Sequence, residues 1–156
     1  MSLPPKRITG GCQCGRIRYA MDVDEIEKPH VCHCRMCQKA TGGLFAALAG
    51  CSKSRLQWTE GEPAFFASSN LATRGFCRDC GTPLTFSYNT PDARIYVTIG
   101  SMDDPALANI EIQYGVESKI PWVRFCENVP SEVTGDSPAA QEFFAGMRNN
   151  QIQVET

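Results

Sequence analysis

The chain has 156 residues, 42% hydrophobic and 21% charged, a composition that fits one domain with a single buried core. Its net charge is −2 and its pI about 5.7, with Lys6-Arg7 as the longest basic run, so no basic stripe for nucleic acid exists. No apolar run is long enough for a membrane span, and the opening MSLPPKRITGG lacks the apolar region of a secretory signal.

Taken in chain order, β-rich or alternating runs predict strands at 16–21, 44–50, 55–59, 64–67, 74–77, 84–88, 94–99 and 110–113. Turn signals separate them: Gly10-Gly11, Gly42-Gly43, Gly61-Glu62-Pro63, Asn89-Thr90-Pro91-Asp92 and Asp103-Asp104-Pro105. Many short strands joined by Gly/Pro turns imply a mainly β domain with antiparallel pairing. A helix is expected from Ser137 or Pro138 to about Arg148, with Pro138 in its first turn and Phe143, Phe144 and Met147 as its apolar stripe. Residues 149–156 are expected to fray.

Seven of the nine cysteines fall into three clusters: Cys12-x-Cys14, Cys32-x-Cys34-x-x-Cys37 and Cys77-x-x-Cys80. Thiolates spaced by one or two residues converge on one metal ion, because a knuckle turn brings both sulfurs to the same side. Cys12 and Cys14 precede a strand, and Cys77 and Cys80 straddle a turn ending in Gly81, whose free amides can point at sulfur. The triplet lies in the least strand-like stretch, which predicts a loop or a short helical turn. Buried apolar cysteines would not gather at turns in this way. An odd number of cysteines without an export signal also points to a reducing compartment, the cytoplasm by default.

Two partitions of the ligands are open. Pairing Cys12/Cys14 with Cys77/Cys80 closes a four-sulfur structural zinc shell and leaves Cys32, Cys34 and Cys37 as a three-sulfur shell with one vacancy, the pattern of a catalytic site. Pairing Cys34/Cys37 with Cys77/Cys80 leaves Cys12, Cys14 and Cys32 without roles. The first accounts for more of the sequence. Three thiolates give zinc a net charge near −1, poor for making hydroxide but suited to holding and exchanging another thiolate. The favoured chemistry is carbon–sulfur bond making or breaking.

His33 is read as a polar loop residue, with ligation or proton shuttling as the sharper alternative; His30 is a lesser candidate for a fourth ligand. Cys51 is read as core, Cys126 as buried or idle, and Trp122 as packing, with an aromatic wall for a substrate as the alternative. Arg35, Lys39, Arg74 and Arg78 are read singly as solvated surface and as a group as a means to attract an anionic thiol.

Gly11-Cys12-Gln13-Cys14-Gly15, Cys32-His33-Cys34-Arg35-Met36-Cys37 with Thr41-Gly42, Phe76-Cys77-Arg78-Asp79-Cys80-Gly81 and Lys119-Ile120-Pro121-Trp122 occur in the order of a known family. From about Gly11 to Pro130 the chain resembles the glutathione-dependent formaldehyde-activating enzymes, a family that includes centromere protein V. The resemblance implies a β-tent fold of short antiparallel sheets around a structural zinc. It implies structural ligands Cys12, Cys14, Cys77 and Cys80 and catalytic-zinc ligands Cys32, Cys34 and Cys37, hence two zinc sites, the second sometimes incompletely filled. The implied reaction is condensation of formaldehyde with glutathione, classed as a carbon–sulfur lyase, with a small thiol and a small aldehyde as partners. The expected organisation is an N-terminal arm at 1–10, the zinc domain at 11–130 and a C-terminal segment with its helix at 131–156.

Two other functions compete. A zinc-bearing methionine sulfoxide reductase would use Cys34/Cys37 with Cys77/Cys80 and a nucleophile at Cys126 in Arg124-Phe125-Cys126. A non-catalytic, zinc-stabilised interaction module would keep the second site only as a relic or a structural feature.

Overall fold

The structure is a computed structural model that describes residues 6–92, 94–124 and 138–145. Its elements run β1 (Lys6–Gly11), β2 (Arg18–Val23), β3 (Glu27–Cys32), α1 (Arg35–Thr41), β4 (Ala46–Ser52), β5 (Leu56–Glu60), β6 (Ala64–Ala67), β7 (Ala72–Phe76), β8 (Pro83–Tyr88), β9 (Arg94–Thr98), β10 (Ile112–Tyr114) and α2 (Pro138–Phe144). They build a three-stranded sheet of order β1-β2-β5 and a seven-stranded sheet of order β10-β3-β4-β9-β8-β7-β6. The architecture is therefore mainly β.

Two strands, β1 and β3, were not predicted. β1 contains Gly10-Gly11, and its extended form rests on pairing along its whole length with β2, from Lys6↔Val23 to Gly11↔Arg18. It begins inside the stretch read as an arm. β3 contains Pro29, which cannot donate to a ladder; a register shift between Glu27 and His30 and a positive φ of 43° at Lys28 absorb it as a bulge. A further departure is the pairing of β10 with β3, which is parallel where antiparallel pairing was expected. The chain crosses the sheet before returning to the free edge of β3, so the last strand arrives in the same direction.

The core lies where the two sheets meet. Ile8, Tyr19, Met21 and Val23 of the small sheet join Ala49, Cys51, Leu84 and Val97 of the large one in one buried cluster. Burying a side chain the size of Met21 or Leu84 stabilises by about 1.5–3 kcal/mol, so this seam holds much of the fold. Cys51 belongs to it, as predicted, and burial pushes its thiol up to about 11. The buried Tyr19 hydroxyl is satisfied by Ser101 Oγ at 2.9 Å. Asp103 accepts from Thr9 Oγ1 at 2.6 Å and from both terminal nitrogens of Arg18, tying β1 and β2 to the segment after β9.

Helix α2 starts at Pro138 as predicted and is described to Phe144; its expected continuation to Arg148 and the tail beyond lie outside the described residues. Among the described residues, no helix is long and apolar enough to cross a membrane.

Candidate metal centres

Seven cysteines come together as two groups, in each of which all sulfurs lie within 4.8 Å of one another: Cys12, Cys14, Cys77 and Cys80, and Cys32, Cys34 and Cys37. Neither His30 nor His33 joins either group. The grouping matches the first partition and separates Cys34/Cys37 from Cys77/Cys80.

The four-sulfur group sits at the seam of the sheets. Cys12 and Cys14 occupy the β1–β2 turn of the small sheet, Cys77 and Cys80 the β7–β8 turn of the large one. Each turn closes on a left-handed glycine, Gly15 at φ 80° and Gly81 at φ 77°. The Gly81 amide donates to the Cys77 carbonyl at 2.8 Å, the Gly15 amide to the Cys12 carbonyl at 3.0 Å, and the Ile17 amide to Cys12 Sγ at 3.3 Å. Gln13 N donates to Thr82 Oγ1 at 3.0 Å, joining the turns directly.

The donor set fits zinc. Cys12 and Cys14 sulfurs are 3.5 Å apart and Cys14 and Cys77 sulfurs 3.8 Å. A tetrahedron with Zn–S near 2.3 Å has edges of about 3.8 Å. Electrostatics agree. Against the lowering effect of the Arg16 amide, burial and the sulfurs of Cys12, Cys80 and Cys77 push Cys14 up to about 12. Burial alone would also raise Cys80, but the Thr82 hydroxyl and amide bring it down to about 6. Sulfurs this crowded resist joint ionisation until a cation compensates them, which is the condition for a metal site.

The triplet is built on the connection between β3 and β4, adjacent antiparallel strands of the large sheet. Cys32 ends β3, Cys34 caps α1 and Cys37 lies in its first turn. The short helical turn predicted here is α1, with Cys34 Sγ accepting from Cys37 N at 3.4 Å in place of the usual Ser or Asp cap. Ala46, Leu48, Phe86 and Tyr96 form an apolar floor against the sulfurs. Burial pushes Cys32 up to about 12, while Cys34 is held below the ordinary thiol range despite its partial burial, by the Cys37 amide and the neighbouring sulfurs. The donors and their spread within 4.8 Å fit a three-thiolate zinc.

The triplet is anchored by β10 and the residue that follows it. Gly115, at φ 63°, passes so close that a Cβ there would lie 2.7 Å from Cys34 N. His33 is fully buried; its Nε2 lies 3.0 Å from Gln113 Oε1, and its amide donates to the Tyr114 carbonyl at 2.8 Å. It therefore ties the loop to β10. His30 donates Nδ1–H to the Lys28 carbonyl at 2.8 Å and stacks edge-on with Tyr96 and Tyr114; burial lowers its pKa.

Arg74 of β7 supplies the contact that sequence spacing did not reveal. It donates to Cys37 Sγ at 3.3 Å and to Ser68 Oγ at 3.1 Å, and lies 4.8 Å from the Phe86 ring centroid. Beside it opens a cleft of about 460 Å³, lined by Met36, Lys39, Leu48, Phe66, Arg74 and Phe76 among others. Arg35 bonds to Gln38, Arg78 is exposed and Trp122, expected to pack, is 68% exposed. Cys126 lies outside the described residues.

The profile of the glutathione-dependent formaldehyde-activating enzymes matches residues 7–118. An uncharacterized lyase of Schizosaccharomyces pombe is 34% identical over 79 residues, 51% of this chain and 56% of that protein. The match thus spans about half the length of that curated relative. A crystal structure of a Rhodobacter sphaeroides protein is similar at TM-score 0.51 and 20% identity, covering 68% of this chain and 98% of that one. That likeness concerns the fold. On the match that runs from β1 to the turn after β10, the chain belongs to the glutathione-dependent formaldehyde-activating enzyme family.

Proposed function

We propose that this protein is a zinc-dependent carbon–sulfur lyase that adds a thiol, such as glutathione, to formaldehyde or another small aldehyde, or catalyses the reverse. In this reading Cys12, Cys14, Cys77 and Cys80 hold a structural zinc, and Cys32, Cys34 and Cys37 hold a catalytic one. The family match and the lyase name of the yeast relative support the reaction class. The observation that carries the reading is the contrast in ligand number: four sulfurs close one group at the seam, and three form the other, whose Cys37 is touched by Arg74, a residue that also lines a cleft.

Zinc held by the triplet would supply a fourth position at which a substrate thiol is stabilised as thiolate. The chain's own residues do the rest. The apolar floor of Ala46, Leu48, Phe86 and Tyr96 keeps water from the sulfurs. Arg74 offsets negative charge at Cys37, and the cleft holds thiol and aldehyde together, converting a bimolecular encounter into a local one. Seven reduced thiols in two metal groups suit a reducing compartment, the cytoplasm.

The test is exchange of the glutathione–formaldehyde adduct, measured by NMR on zinc-loaded protein against the uncatalysed rate. Acceleration by the wild type and its loss in Cys34→Ser are the expected outcome. Equal acceleration by both proteins would sink the assignment of the triplet.

A further inference from the structure

Two residues lining the cleft are cations, Lys39 and Arg74, and none is an acid. Among the described residues, Lys39 has no ion pair or hydrogen bond, and the Arg74 guanidinium spends its Nε on Ser68 and one terminal nitrogen on Cys37, with no partner among those residues for the other. The Phe86 ring and these two bonds hold the guanidinium fork in place, so little side-chain freedom is lost when it binds something. Met36, Leu48, Phe66, Phe76 and Pro83 surround it with apolar surface, where charge attraction is stronger than in open water.

We propose, resting on the reaction given above, that Arg74 and Lys39 form an anion subsite that selects thiols carrying a carboxylate over neutral thiols of the same size. The two sides of Arg74 account for the selection. One nitrogen fixes Cys37, and the free one faces an anion whose own sulfur must reach the triplet, so charge recognition and sulfur placement share one side chain. Arg74 is then both a positioning residue for Cys37 and a specificity-determining residue. Lys39, on the exposed face of α1, contributes charge alone.

Zinc-loaded full-length protein separates these roles. The kcat/KM ratio for 3-mercaptopropionate over 2-mercaptoethanol, in exchange with formaldehyde, removes any loss common to both thiols. Wild type is expected to prefer the charged thiol. Arg74→Met should cut that ratio about ten- to a hundredfold, the worth of a charge-assisted hydrogen bond, and Lys39→Met a few-fold. A thiol-free probe, glutarate, should bind the wild type and bind both variants more weakly by calorimetry. If Arg74→Met does not fold, Lys39→Met and the wild-type preference still decide. Turnover with equal kcat/KM for the two thiols overturns the subsite and leaves the reaction standing. Glutarate binding that weakens in the variants, without turnover of any thiol, supports the subsite and overturns the reaction.

Discussion

The two sulfur groups share a donor atom and differ in what surrounds it. The four-sulfur group joins turns from different sheets, Cys12 and Cys77 are 2% and 0% exposed, and backbone amides and Thr82 are its polar company. The triplet belongs to the β3–β4 connection of one sheet, sits on an apolar floor, and is touched by a guanidinium, from a distant strand, that also lines a cleft. On the proposed assignment, a metal at the first place would add to the apolar seam by tying a turn of each sheet to the other. A metal at the second would tie the end of β3 to the start of α1, and three sulfurs would leave it a fourth position.

The sharpest way to break this comparison is to open each shell in turn. A structural zinc contributes on the order of 10 kcal/mol or more, comparable to the whole stability of a domain of about 5–15 kcal/mol. Cys77→Ser should therefore abolish soluble folded protein, read by circular dichroism and gel filtration; a cooperative melt near that of the wild type would contradict the fastener role. Cys34→Ser should leave the fold intact with a melting temperature lowered by a few degrees, retain one zinc per chain and lose turnover. Metal content by mass spectrometry distinguishes the two directly. A graded chelator challenge should likewise remove one zinc quickly while the spectrum stays folded, and the second only as the protein unfolds. Simultaneous loss of both would erase the distinction.

The seven clustered cysteines were legible in the sequence because their spacing is local: a Cys-x-Cys or Cys-x-x-Cys step places two sulfurs together whatever the fold around it. The grouping of distant pairs was legible only by counting, since nothing near Cys14 announces that Cys77 lies 3.8 Å away. Strands rich in β-branched and aromatic residues, such as Arg94–Thr98, declared themselves. β1 and β3 did not, because glycines and Pro29 hide their alternation and their extension depends on partners far along the chain. Arg74 illustrates the same limit at the site: its neighbours in sequence suggest surface, and its contact with Cys37 exists only once β7 and α1 are packed.

Gly115→Ala sharpens the comparison without touching a sulfur. The residue holds φ 63°, and its new Cβ would meet Cys34 N at 2.7 Å and Cys34 Cβ at 3.0 Å. The backbone cost is about 1–3 kcal/mol, felt at the triplet and not at the seam. The expected result is a melting temperature lower by several degrees, weaker retention of the chelator-labile zinc and unaltered retention of the other. Loss of the tightly held zinc first would mean that the 112–118 segment supports the seam as well.

The smallest effect is expected at Asp103, which fastens the same seam without a metal. Burial alone would raise its pKa, but the hydrogen bonds from Arg18 and Thr9 outweigh it and hold the carboxyl below its ordinary value. A depressed folded-state pKa means that the carboxylate stabilises the fold above the unfolded value near 3.9 and that this share is lost as pH falls through the folded value. Asp103→Asn keeps an acceptor for Arg18 and Thr9 but not the charge, so its cost near neutral pH is about 1 kcal/mol. The difference in stability between wild type and variant, from urea titrations, should hold constant from pH 7 to about 5 and shrink below about 4. If Asp103→Asn proved as damaging as Cys77→Ser, the seam would be held by its ion pair and not by its four sulfurs.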